Sequence, residues 1–138
     1  MKKYYFIVIS TLALLTCILT CQQVLADEVW TTAEYNVVYH QDRNNTAIWH
    51  YDKDGVIFID GLAGVYTDRG SYSGYWVQDS SSVCCDTYRE GADGRPTYHW
   101  GRFEISFIDP DFPSRWQADI SLCDRDPKVT WNGTPVTQ

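Results

Sequence analysis

The chain lacks the marks of most enzyme classes. It has no G-x-S-x-G elbow, no glycine-rich phosphate loop and no H-E-x-x-H motif. No activated serine, nucleotide site or catalytic zinc is therefore legible in it. The three histidines, His40, His50 and His99, have no spacing that would complete a closed tetrahedral metal site. The D-x-D-G step at Asp52–Gly55 fails as a calcium loop, because His50 stands where the first ligand belongs and Gly61 where a bidentate glutamate is needed. No cofactor is expected. Also missing are any segment of helical period, any internal repeat and any linker that would split the folded part. Basic residues are scarce, 11 against 18 acidic ones. That balance repels phosphate backbones and sets nucleic acid aside as a partner.

Long apolar runs are confined to the N-terminus. Met1-Lys2-Lys3 is a short basic start, Tyr4 to Cys21 is mostly apolar, and Gln22-Gln23 breaks the run before the small-residue site at Val24-Leu25-Ala26. About 18 apolar residues can just span a bilayer, so a membrane anchor is the alternative. The polar break and the cleavage site favour a signal peptide over residues 1–26. Threonine precedes both Cys17 and Cys21, so neither forms a lipoprotein box. The expected product is a single β-domain over residues 27–138, secreted or periplasmic, with no membrane attachment after cleavage. Loss of Lys2 and Lys3 moves the formal charge from −7 to −9.

Cys84, Cys85 and Cys123 remain in that product. An odd number in an oxidising compartment implies one bridge and one spare thiol. An adjacent bridge is strained, since consecutive Cα atoms lie about 3.8 Å apart and disulfides prefer roughly 5.5 Å. Cys123 is therefore expected to pair with Cys85 or with Cys84. The remaining thiol offers a route to a dimer; its acidic neighbours Asp79 and Asp86 raise rather than lower a thiol pKa, which argues against a reactive role.

Period-two alternation is the main structural signal. From Tyr98 to Cys123, Phe103, Ile105 and Phe107 alternate with polar residues, as do Trp116, Ala118, Ile120 and Leu122. This reads as a long hairpin turning at Asp109–Ser114, where two prolines end the ladder. Further strands are expected over Val29–Thr32, Tyr35–His40, Thr46–Tyr51, Val56–Ile59, Ser71–Gln78 and Lys128–Trp131. Gln41–Asn45 is read as a polar break, and Asp52–Gly55 as a hairpin turn. Leu62–Tyr66 reads as a short strand or a bend. Val56–Ile59 is apolar on both faces and should be buried on both. Gly74 is expected to let a neighbouring ring lie over the backbone. Asp79–Thr97 is a long polar connection, which a bridge to Cys123 would fold across the outside of the sheet or over its rim. Asn132–Pro135 reads as a turn that leads to a frayed tail. The sum is an all-β antiparallel meander of seven to nine short strands, a small barrel or sandwich stapled by one disulfide. Two sequons, Asn44-Asn45-Thr46 and Asn132-Gly133-Thr134, matter only in a glycosylating host and are read as turns.

Function is less legible. On the polar face of the long hairpin, one register sets Glu104 opposite Asp119, a carboxylate pair that a hydrolase could use. The other sets Arg102 opposite Asp119, and is favoured because like charges opposed in a sheet are unfavourable. Six tryptophans spread over the strands are mostly structural, yet six indoles are many to bury. Tyr75, Trp76, His99, Trp100 and Trp131 are the candidate ligand-binding residues, forming an aromatic surface or barrel mouth for a small molecule or glycan. The alternative is a protein-interaction module, an inhibitor or surface-associated partner, working through the Asp79–Thr97 loop.

Overall fold

In the computed structural model, which describes residues 28–136, the alternating segments form ten strands. The expected leader lies outside the described residues. The strands are β1 (Val29–Thr31), β2 (Asn36–Arg43), β3 (Thr46–Tyr51), β4 (Gly55–Asp60), β5 (Ser71–Val77), β6 (Arg89–Glu90), β7 (Pro96–Thr97), β8 (Trp100–Phe107), β9 (Trp116–Ile120) and β10 (Val129–Pro135). Eight of them make a closed antiparallel barrel in the order β1-β2-β3-β4-β5-β8-β9-β10, with β10 returning to β1. Strands β6 and β7 pair separately, as a small hairpin within the long connection. The architecture is thus a barrel and not a sandwich.

Inward residues of all eight barrel strands meet in one core. An eight-stranded barrel is just wide enough for side chains to fill. Trp30, Trp49 and Trp116 stand at its centre with ring centroids 4.5, 5.6 and 6.0 Å apart. Val37, Ile57, Ile59, Phe103, Ile105 and Ala118 pack around them. Strand β4 is buried on both faces, as its sequence implies: Ile57 and Ile59 point inward, while Val56 and Phe58 join a second, outer core with Ile48, Val77, Cys85 and Trp100. The connection after β5 covers that outer core.

The register of β8 on β9 reverses the expectation. Glu104 lies opposite Asp119, and Arg102 instead donates to the carbonyl of Arg125 at 3.0 Å. The inward face decides this. Phe103 meets Ile120, Ile105 meets the small Ala118, and Phe107 meets Trp116. Burying one large side chain contributes about 1.5–3 kcal/mol, whereas an opposed like-charge pair costs about 0.2–1 kcal/mol. The carboxylates also find separate donors. Ser73 Oγ donates to Glu104 at 2.5 Å and Thr130 Oγ1 to Asp119 at 3.0 Å.

Three further expectations are corrected, and one left open between two readings is decided. Strand β2 runs through Gln41–Arg43, because a bulge between Tyr39 and Gln41 absorbs His40 and pairing then resumes; the turn is only Asn44-Asn45, with Asn44 at φ 55°. Leu62–Tyr66 is a bend, whose Leu62 is buried and helps fill one end of the barrel. Gly74 admits backbone and not a ring, since a Cβ there would lie 1.9 Å from the Phe58 carbonyl oxygen. Asn132–Pro135 is no turn: it lies within β10 and closes the barrel on β1.

Gly133 shows why that local reading fails. The Trp116 ring rests on its backbone, and a Cβ at residue 133 would lie 2.1 Å from Cε2 of the indole. Gly133→Ala should therefore displace Trp116 and cost about 1–3 kcal/mol in urea unfolding, as overpacked cores do. An unchanged midpoint would show that the ring can move freely.

Candidate functional site

The meander gives the barrel two unlike ends. At one, the side chains of Arg69 and Glu28 are 0% and 4% exposed. Arg69 donates through two nitrogens to the two Glu28 carboxylate oxygens at 2.8 and 2.9 Å, to Ser114 Oγ at 3.0 Å and to the Val65 carbonyl at 2.8 Å. Its guanidinium lies 4.9 Å from the Phe107 ring centre and 5.3 Å from that of Tyr66. The backbone of Ser114 also accepts the Trp30 indole N–H at 2.8 Å. This end is closed by a satisfied polar plug.

At the opposite end a cavity of about 340 Å³ opens between strand ends. Its apolar wall is Tyr35, Tyr51, Trp76 and Trp131 with Ile120 and Leu122. Its polar rim is Glu34, Gln78, Ser81 and Ser82. Local chemistry places these groups. The Thr32 hydroxyl donates to the Tyr35 carbonyl at 2.8 Å and accepts the N–H of Tyr35 at 3.0 Å and of Glu34 at 3.3 Å. One hydroxyl thus fixes the β1–β2 turn that carries Glu34 and Tyr35. Trp76 lies flat on Gly101, where a Cβ would come within 2.4 Å of Nε1, and donates to the Ser121 carbonyl at 2.8 Å. Trp131 sits opposite Ala118, whose small side chain leaves the indole room to lean inward. Tyr35, Tyr51 and Trp131 meet with centroids 5.4–5.7 Å apart. Burial pushes the Tyr51 hydroxyl above its ordinary pKa, with a partly offsetting hydrogen bond to Gln78. Tyr51 therefore stays a neutral phenol.

The long connection forms part of this rim. Cys85 and Cys123 are bridged, with Cα atoms 5.6 Å apart, and Cys84 is free and exposed. The connection closes on itself through Gln78 N–H to the His99 carbonyl at 3.0 Å and Cys85 N–H to the Tyr98 carbonyl at 2.8 Å. Arg89 lies over Tyr75 and Trp100, 4.7 and 4.5 Å from their ring centres.

The five candidate aromatic and histidine positions do not share one surface. Trp76 and Trp131 face the cavity. Tyr75, next to Trp76 on β5, points to the outer face, where it packs on Phe58. Trp100 is buried in the outer core with its N–H given to the Thr87 carbonyl at 2.8 Å. His99 stands behind the rim, its Nδ1 3.0 Å from the Ser81 hydroxyl. Tyr35, Tyr51, Glu34 and Gln78 were not singled out by sequence. The signal lay in topology: in a closed meander, alternate strand ends gather at one mouth, and these residues occupy such ends.

Two other groupings lie away from this cavity. Glu104 and Asp119 are opposed on the exposed outer face. His40 and His50 stack outside the barrel at 4.4 Å, where burial first and His40 second lower the pKa of His50. No protein-family model, curated protein or solved structure matches the chain.

Proposed function

We propose that this is an exported binding domain that takes a small, partly apolar molecule into the open end of its barrel. The unlike ends carry the reading. One end has its polar groups paired internally, while the other presents aromatic faces around a cavity of about 340 Å³, a size suited to a small ligand. The Cys85–Cys123 bridge is compatible with an oxidising compartment, in keeping with export. A glycan residue stacked on Trp131 or a flat organic molecule would both use these faces.

The test is an NMR titration of the folded domain with benzyl alcohol and with methyl β-glucoside, following the indole N–H signals. Saturable shifts at Trp76 and Trp131 are expected for at least one probe. Trp131→Ala should weaken that probe at least about tenfold without unfolding the protein, since the lost ring burial is worth roughly 1.5–3 kcal/mol and Trp131 is only half-buried. No saturable shift with either probe, or shifts confined to Trp100, would remove the open end as the site.

One observation favours a second reading, the interaction module. Tyr88 and Tyr98, 63% and 45% exposed, touch at 6.0 Å on the long connection near the free Cys84. Exposed tyrosine pairs suit protein contacts. In that case a Tyr88→Ala/Tyr98→Ala variant would lose its partner and keep the barrel titration unchanged.

A further inference from the structure

Given the open-end reading above, on which this inference rests, the geometry points to a ligand bearing a compact organic cation, an ammonium group on an apolar body. The ring planes of Tyr35, Tyr51 and Trp131 are tilted 59–73° to one another. Rings so tilted do not stack face to face, and all three line the cavity, where an aromatic face offers a cation the negative side of the ring quadrupole. Among the described residues Glu34 is the one charged side chain that lines the cavity. None of the ion pairs among the described residues engages its carboxylate, and the Thr32 turn fixes its backbone at the rim beside Tyr35.

The sign of the ligand follows. Among the described residues no lysine, arginine or histidine lines the cavity, and the other rim groups, Gln78, Ser81 and Ser82, are neutral. An anion would meet Glu34 with nothing to balance it. A cation gains from Glu34, from the ring faces and from the field of a strongly acidic chain. A quaternary or protonated amine also needs little directional hydrogen bonding, which suits a wall made of rings. Gln78 and the two serines are left to hold a hydroxyl or carbonyl elsewhere on the same molecule.

A charge-only comparison tests this. The disulfide-intact domain is titrated with choline and with 3,3-dimethyl-1-butanol, which has the same shape without the charge, again following the Trp76 and Trp131 indole signals. Choline should bind at least about tenfold tighter, and its affinity should fall as salt is raised. Glu34→Gln should narrow the gap between the two probes several-fold and leave the neutral one unchanged, with Trp131→Ala weakening both. Equal or tighter binding of the neutral alcohol, or a gap indifferent to Glu34→Gln, overturns the cation and leaves the cup standing as a binding site. Failure of both probes to saturate, together with the two probes of the preceding titration, overturns the site itself.

Discussion

Arg69→Met is expected to destabilise the domain by about 3–5 kcal/mol, a large share of a small domain's whole stability. The cost does not come from the strength of an ion pair. It comes from what is left behind: a Glu28 carboxylate at 4% side-chain exposure, with its cation gone and the barrel wall around it. Taking both partners away should be far milder, because two buried charges replaced by apolar groups of similar size are often neutral or even stabilising. Urea unfolding of Arg69→Met, Glu28→Met and the double variant makes the comparison. The single changes should each be severe and the double should recover most of the loss. A loss under about 1 kcal/mol would mean that water reaches the pair and that this end of the barrel is not closed.

That plug was not legible in the chain, for a physical reason. Arg69 stands in Thr67-Asp68-Arg69-Gly70, a stretch of turn formers where an arginine is ordinarily solvated, and its partner lies 41 residues earlier. Only closure of the barrel brings β1 beside the β4–β5 turn. The same limit explains Gly133, where Asn-Gly reads locally as a turn but serves as the seat of a ring 17 residues away. What was legible rests on short-range rules. Alternation marks the faces of β8 and β9, the unbroken apolar run marks β4 as doubly buried, and disulfide geometry sets aside an adjacent bridge. The hairpin register fell between the two. Its polar face favoured one answer, and the larger energies of Phe103, Ile105 and Trp116 on the inner face imposed the other. The binding cup belongs wholly to the non-local class. Trp76 and Trp131 were picked out for being aromatic, but Tyr35 and Tyr51 become part of a site only when strand ends gather at one mouth.

Removing the Cys85–Cys123 bridge should have the second large effect. The bridge closes a sequence separation of 38 residues, which in the chain-entropy account corresponds to about 4 kcal/mol. The variant is Cys85→Ser/Cys123→Ser in a Cys84→Ser background, so that no freed thiol can pair again; Cys84→Ser alone is the control and should unfold like the parent. The loss should be uneven across the molecule. The inner core around Trp30, Trp49 and Trp116 belongs to the barrel strands and does not need the connection. The outer core does, because Cys85 of the connection packs in it with Val56, Phe58, Val77 and Trp100, and the Trp100 indole donates to the Thr87 carbonyl of the same segment. Hydrogen exchange should therefore rise across residues 79–97 more than in β2, β3 and β10, which is the pattern of a locally opened unit and not of a uniformly weakened one. The cup inherits the consequence. Its rings stand on β3, β5 and β10 and on the β1–β2 turn, but Ser81 and Ser82 reach it from the connection. In the bridge-free variant, stacking at Trp131 should survive while the polar side of the rim is lost. A ligand held mainly by ring faces and Glu34 would lose little affinity; one oriented by the serines would lose most of it. A stability loss under about 1 kcal/mol would instead mean that Arg89, packed over Tyr75 and Trp100, and the outer core already hold the connection in place. In that case the bridge would do no more than lock a fold that the side chains have made.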